Sequence, residues 1–184
     1  IKSFQGDKII DFDLTPNRGD CFSVKGLARD YCAFKNQKFS TSRSVSFKSQ
    51  NKFEKSIGLF AADACSAYSA ISISNLKLKK KFPENIKKSL KASGIQSIHP
   101  LVDIINFVML ESGQPMHVFD LDKLDLPINV QFPKLNNNLL EVIGGDVKDI
   151  QSSSLTIQDQ FGIQAIAGII GSERSAVSLN TYNI

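Results

Sequence analysis

Histidine, cysteine and methionine are scarce in this 184-residue chain, with two, three and two copies, and tryptophan is absent. The three cysteines, Cys21, Cys32 and Cys65, are odd in number and lie at no metal-ligand spacing. They argue against a zinc site or a disulfide framework and for small hydrophobes in a reducing compartment. No run of about 18 apolar residues is present, which excludes a helical membrane span, and no basic-plus-apolar leader precedes the first strand-like stretch. The chain is expected to be soluble. A Gly-x-Ser-x-Gly elbow, a phosphate-binding loop ending in Lys-Ser or Lys-Thr, and a His-Glu-x-x-His pair are all missing. Since the chain opens on Ile1 without a methionine and stops at Ile184 in mid-pattern, it reads as an excerpt of a longer polypeptide.

What is present is ordinary globular material, 42% hydrophobic and 22% charged, enough for one core or two smaller lobes. The net charge of +4 is unevenly spread. Lys77, Lys79, Lys80 and Lys81, then Lys87, Lys88 and Lys91, make one stretch basic. Such a cluster can follow a phosphate backbone, or it can be a solvated helix face and edge strand.

Periodicity organises the rest. Lys8 to Leu14 alternates apolar and acidic residues, the signature of a half-buried strand. The cluster Thr15-Pro16-Asn17-Arg18-Gly19 is a turn, and Asp20 stands where a helix N-cap belongs. Val24, Leu27, Ala28, Tyr31 and Cys32 then recur at helical spacing and should face a core, and Gly26 inside that helix implies close packing or a cost. Residues 36–58, rich in Ser, Asn, Gln and Lys, read as a loop or connector. Residues 67–78 read as a strand with a phase change near Asn75. A short helix follows with Pro83 in its first turn and Gly94 as its stop, and a longer one opens at Pro100 and closes at Gly113. Four short strand-like runs fill the C-terminal part. The fold class is therefore α+β: a mixed or antiparallel sheet that curls, with about three helices packed on it.

Residues able to do chemistry are few. His117 follows a Gly-Gln-Pro turn and precedes Asp120 by three, so an imidazole and a carboxylate could together orient a water or hold a hydroxyl. Asp103 and Asn106 lie about one helical turn apart and could share a pocket, or cap nearby backbone. Glu173 and Arg174 are most simply surface turn charges.

Three ordered segments carry a resemblance: "DFDLTPNRGDCFSVKGLARDYCAF", "SGIQSIHPLVDIINFVMLESGQPMHVFDLDKL" and "AGIIGSERSAVSLNTYNI". Together they are similar to the central region of the beta subunit of bacterial phenylalanyl-tRNA synthetases, over nearly the whole chain. The resemblance implies a single editing-type domain over 1–184, excerpted from a longer beta subunit. It implies a cytoplasmic ligase charging phenylalanine tRNA, in which this region hydrolyses tRNA wrongly charged with tyrosine. It implies the alpha subunit and tRNA as partners, in a heterotetramer of two alpha and two beta chains. No cofactor is implied for this region; ATP and magnesium serve the parent enzyme, whose aminoacylation centre lies on the alpha subunit.

By the same resemblance His117 matches a catalytic-site histidine lining the editing pocket, Ala167 and Gly168 match small residues of its wall, and Lys77, Lys79, Lys80, Lys81 and Lys87 would guide tRNA. Gln96 stands where the family commonly has Arg, and Ser172 where a second glycine is usual. Gly144-Gly145 replaces the family's Asp-Gly turn, and a family glutamate that contacts the tyrosyl hydroxyl falls beyond the position matching Asn183. These departures leave an alternative: a structural or RNA-binding module of the synthetase that has lost editing.

Overall fold

The computed structural model describes residues 2–40, 46, 57–78, 82–134 and 138–184. The chain forms two compact units, one of Ile1–Phe47 with Lys79–Met116, the other of Lys48–Leu78 with His117–Ile184. Of the expected 36–58 connector, 41–45 and 47–56 lie outside the described residues, and Ile57 and Gly58 begin a strand.

In the first unit, β1 (Lys2–Phe4) and β2 (Asp7–Ile9) form an antiparallel hairpin. Its turn residues, Gln5 and Gly6, both have positive φ, 47° and 83°, as a two-residue turn matched to strand twist requires. The strand expected over Lys8–Leu14 ends at Ile9, because its partner β1 is three residues long. Beyond it Ile10 and Phe12 are exposed.

Helix α1 (Val24–Phe34) is capped by Ser23, whose hydroxyl accepts from the Gly26 N–H at 2.9 Å. Asp20, expected in that role, instead accepts from Arg18 and Arg29. The Arg18 guanidinium holds the Asp20 carboxyl at about 2, below the usual carboxylate range. Leu27, Ala28 and Cys32 are half-buried as expected, whereas Val24 and Tyr31 are exposed. Gly26 is buried because a Cβ there would sit 2.0 Å from the Asp20 carbonyl oxygen and 2.9 Å from the Cys21 Cα.

Helix α2 (Glu84–Ala92) follows Pro83 as its N-cap and buries Leu90 completely. Helix α3 (Pro100–Ser112) has Pro100 in its first turn, where a missing N–H costs nothing, and ends on Gly113 in the left-handed region at φ 78°.

The second unit is built on a five-stranded sheet in the order β3-β4-β7-β8-β9. Its strands are β3 (Ile57–Leu59), β4 (Ile128–Gln131), β7 (Thr156–Asp159), β8 (Gly162–Ile166) and β9 (Ile170–Gly171). β3 runs parallel to β4 and the other pairs are antiparallel, so the sheet is mixed. A hairpin of β5 (Leu139–Glu141) and β6 (Val147–Asp149) joins the sheet through a bridge between Val142 and Ser172.

The β7–β8 pairing shifts register between Ile157 and Gln158, leaving Gln164 as an extra residue in β8, and two apolar clusters lie about the sheet. Ala165 packs with Ile128 and Ile157, and Phe119, Leu124 and Leu126 close around them. Ile163 and Ile166 pack against Leu140, Val142 and Ile150. The strand expected over residues 67–78 is not one: Ile73 exchanges two backbone hydrogen bonds with Ile184 and Leu76 donates one to the Tyr182 carbonyl. Between them Asn75, at φ 58°, breaks the ladder where the alternation changes phase.

Among the described residues, three helices and a mixed five-stranded sheet make the chain α+β, as its pattern predicts. The packing of Gly26 predicts that Gly26→Ala destabilises the fold by about 1–3 kcal/mol despite alanine's better helix propensity. Urea unfolding measures it, and an unchanged or raised midpoint would show that α1 does not lie against the 20–21 backbone.

Candidate functional site

His117 opens the second stretch of the sheet-bearing unit, four residues beyond the left-handed Gly113. Its ring lies over β9. A Cβ built on Gly171 would stand 2.2 Å from the imidazole Cε1 and 2.6 Å from Nε2, so any side chain at 171 would occupy the space the ring fills. Gly171 pairs with Ala165, and cross-strand partners share a face, which puts His117 on the Ala165 and Ile157 side of the sheet. Phe119 packs on the imidazole with ring centroids 4.3 Å apart and planes tilted by 56°.

These apolar walls decide the histidine's electrostatics. Burial pushes the imidazole down to about 4, since taking it out of water penalises the charged form. It is neutral at physiological pH. Its Nε2 is buried and has no hydrogen-bond partner among the described residues, an uncommon state for a buried polar atom.

Asp120 does not serve the histidine. It is buried, accepts from the Thr181 hydroxyl at 2.7 Å and from the Asp122 N–H at 3.2 Å, and faces the Lys123 ammonium at 3.7 Å. It caps the turn Leu121–Lys123 and anchors the 175–183 segment, helped by the bond from its own N–H to the Ser175 carbonyl. Asp103 is likewise consumed locally, accepting from the Ser97 hydroxyl and the Ile98 N–H.

Ala167 and Gly168 occupy the tight turn between β8 and β9. Ala167 is half-buried against the Ile128 cluster, and Gly168 takes φ 72° with open space where a Cβ would be. Gly168 is thus a conformational glycine and Gly171 a steric one. Sequence reasoning missed Gly171; the three-residue spacing of glycines in "GIIG" was the signal available.

Gln96 belongs to the helical unit, where it lines an open groove of about 710 Å³ with Gln5, Lys87, Lys88, Lys91 and Ser97. The groove brings Gln96 and Lys87 together. Its lysines are partly engaged: Lys87 with Glu84 at 3.2 Å, Lys88 with Asp7, and Lys91 over the Phe4 ring at 5.9 Å. Lys77 is exposed in the other unit, and Lys79, Lys80 and Lys81 lie outside the described residues. Arg174, expected as a surface turn charge, instead pairs at 3.1 Å with Asp159, whose side chain is wholly buried. Glu173 accepts from the Gly144 N–H and pins that turn.

The B3/4 domain family matches residues 64–184, which take in the histidine, the glycine and the strands that carry both. The chain belongs to the B3/4 domain family. Phenylalanine–tRNA ligase beta subunits of Mannheimia succiniciproducens and Francisella tularensis are each 40% identical to this B3/4 domain chain, and that of Legionella pneumophila is 37% identical. Each match covers 97% of this chain and 22% of the relative, so the chain spans about a fifth of the relatives' length.

The imidazole of this B3/4 domain carries a pH signature. Its folded-state affinity for a proton is lower than the unfolded one, so the unfolded state binds more protons between about pH 4 and pH 6.5. This contribution to stability is full above pH 6.5 and declines as pH falls towards 4. NMR titration of the ring should give a midpoint near 4, and Gly171→Ala, by displacing the ring from its apolar seat, should move it up towards 6.5. A midpoint of 6.5 in the unaltered protein would place the ring in water.

Proposed function

We propose that this B3/4 domain is the editing region of a phenylalanine–tRNA ligase beta subunit and hydrolyses the ester of tyrosine wrongly joined to phenylalanine tRNA. The supporting observation is the His117 seat: a neutral imidazole with an unspent Nε2, walled by Phe119 and by the Cβ-less Gly171. The relatives' names supply the enzyme.

A synthetic pocket shaped for phenylalanine rejects an analogue with one added hydroxyl by only about a hundredfold, which leaves work for a second sieve. That sieve selects in the opposite sense, by offering polar groups to the phenol and leaving them unpaired when phenylalanine enters. In the proposed reaction a water adds to the ester carbonyl and the carbon–oxygen bond to the terminal ribose breaks. Tyrosine and a free tRNA hydroxyl leave. A neutral imidazole with a pKa near 4 is a weak proton acceptor at neutral pH, so His117 acts by hydrogen-bonding and orienting the water or the ester. The terminal ribose hydroxyl of the tRNA lies close enough to its own ester to assist. The small turn residues Ala167 and Gly168 leave room for the ring, and the Gln96 and Lys87 groove offers positive charge to the tRNA backbone.

The parent ligase would act in the cytoplasm as a heterotetramer with an alpha subunit, and ATP and magnesium would serve adenylate chemistry on that subunit. The competing function is a structural or RNA-binding module without hydrolysis, favoured by the loss of a fixed charge at Gln96 and by Ser172, whose hydroxyl is used internally to accept the Arg174 N–H.

His117→Ala in the intact ligase, supplied with Tyr-charged phenylalanine tRNA, decides between them. The editing function predicts that tyrosine release slows on the order of a hundredfold while phenylalanine charging continues. Release at the spontaneous rate in both proteins would make the domain a scaffold.

A further inference from the structure

The sheet face opposite His117 carries a second pocket, of about 480 Å³, lined by Gln131, Lys134, Gln158, Phe161, Gln164 and Arg174. Gln131 and Thr156 are register partners, as are Val130 and Ile157, so the Gln131 side faces away from the Ile157 cluster and from the histidine.

Its polar groups are held in place. The Gln131 amide donates to the Gln158 carbonyl at 2.9 Å, and the Gln158 amide donates to the Thr156 hydroxyl at 2.8 Å, which itself donates to the Gln131 backbone carbonyl at 2.7 Å. Gln164 is 2% exposed, its amide nitrogen is spent on Asp159 at 2.9 Å, and its Oε1 has no partner among the described residues. Gln164 therefore stands in the pocket wall as a fixed amide rather than a free rotor.

At the tip of the β7–β8 turn, Phe161 is 73% exposed, and the Arg174 guanidinium carbon lies 4.2 Å from its ring centroid. Arg174 is itself fixed by Asp159 and by a bond to the Lys123 carbonyl at 3.2 Å. The phenyl ring is therefore a braced platform with most of its surface in solvent. Lys134 lines the same pocket, and so does Glu141, which keeps its net charge low.

A flat aromatic surface beside oriented amides, with cations near by, is the chemistry that recognises an unpaired base: stacking supplies affinity and amides meet the base edge. An aliphatic peptide anchor would find these amides a poor wall, and a phosphate alone would leave the ring unused. We infer that this pocket takes one unpaired base of a single-stranded RNA segment, stacked on Phe161 with its edge towards Gln131 and Gln158. The inference rests on the tRNA-ligase function for the source of the RNA and names a contact on the sheet face away from the hydrolytic site.

The test uses the intact subunit and fluorescein-labelled hexauridylate, whose bases stack weakly on each other, with a blunt RNA duplex as comparison. Fluorescence anisotropy should show the single strand bound in preference to the duplex. Phe161→Ala should weaken it about tenfold, while Phe161→Trp, which keeps a stacking surface, restores it. Gln131→Ala provides a second variant should the first disturb the turn, and it should also weaken the single strand. Equal binding of strand and duplex that ignores Phe161 and Gln131 would overturn the inference in favour of bare charge, and so would no binding at all. Tyrosine release need not respond to Phe161→Ala, so failure of hydrolysis with Phe161-dependent binding would remove the editing function alone.

Discussion

The Asp159 carboxylate is wholly buried, and the sheet-bearing unit is arranged around it. A lone carboxylate in that position would cost several kcal/mol. Here it accepts from the backbone N–H groups of Asp125, Phe161 and Gly162, from the Gln164 amide and from Arg174. The first three bonds fix the chain entering β4 and the β7–β8 turn. The bond from Arg174 holds the segment that follows β9, and the Ser172 N–H adds a bond to the Gln164 carbonyl. Register at β9 thus depends on this charge cluster, and one consequence is that the bare Gly171 comes to lie under the imidazole.

That arrangement also defines what His117 can do. With Phe119 on its ring and β9 beneath it, the imidazole gains no carboxylate partner among the described residues to raise its basicity, since Asp120 is spent on Thr181 and the Asp122 backbone. A general base paired with an acid would be poised near neutrality. This one is held near 4, which suits hydrogen bonding and placement of a reactant better than proton abstraction. The electrostatic environment, not the residue type, decides the role.

How much of this was legible in the sequence depended on how local the cause was. Pro100 and Gly113 mark the ends of α3, and Pro83 marks the start of α2, because caps are written within a few residues. Alternation over 8–14 and 67–78 reveals a preference for extended chain but says nothing about a partner strand. In the first case the partner is too short, and in the second Asn75 turns left-handed. Strands β3 and β6, three residues each, carry too little pattern to be seen. His117 was legible from the turn before it, but the Asp159–Arg174 pair, fifteen positions apart, was not. Nothing local distinguishes a surface arginine from one that neutralises a buried acid. The distinction between Gly168 and Gly171, one needed for its φ and the other for its missing Cβ, is tertiary as well.

Strand β8 is where the two faces meet. Ala165 lies on the histidine side, and its neighbour Gln164 lies on the side of the amide pocket. Gln164 is the extra residue where the β7–β8 pairing shifts register, between Ile163 opposite Gln158 and Ala165 opposite Ile157. Asp159 holds that irregularity directly: its carboxylate binds the Gln164 amide and the N–H groups of the turn that begins the strand. Register in β8 is therefore held by these polar bonds and by the packing of Ala165 on Ile128 and Ile157. Loss of either would unsettle Gly171 through its pairing with Ala165. The histidine's seat is a property of the whole sheet, although the histidine itself comes from the segment that follows a helix.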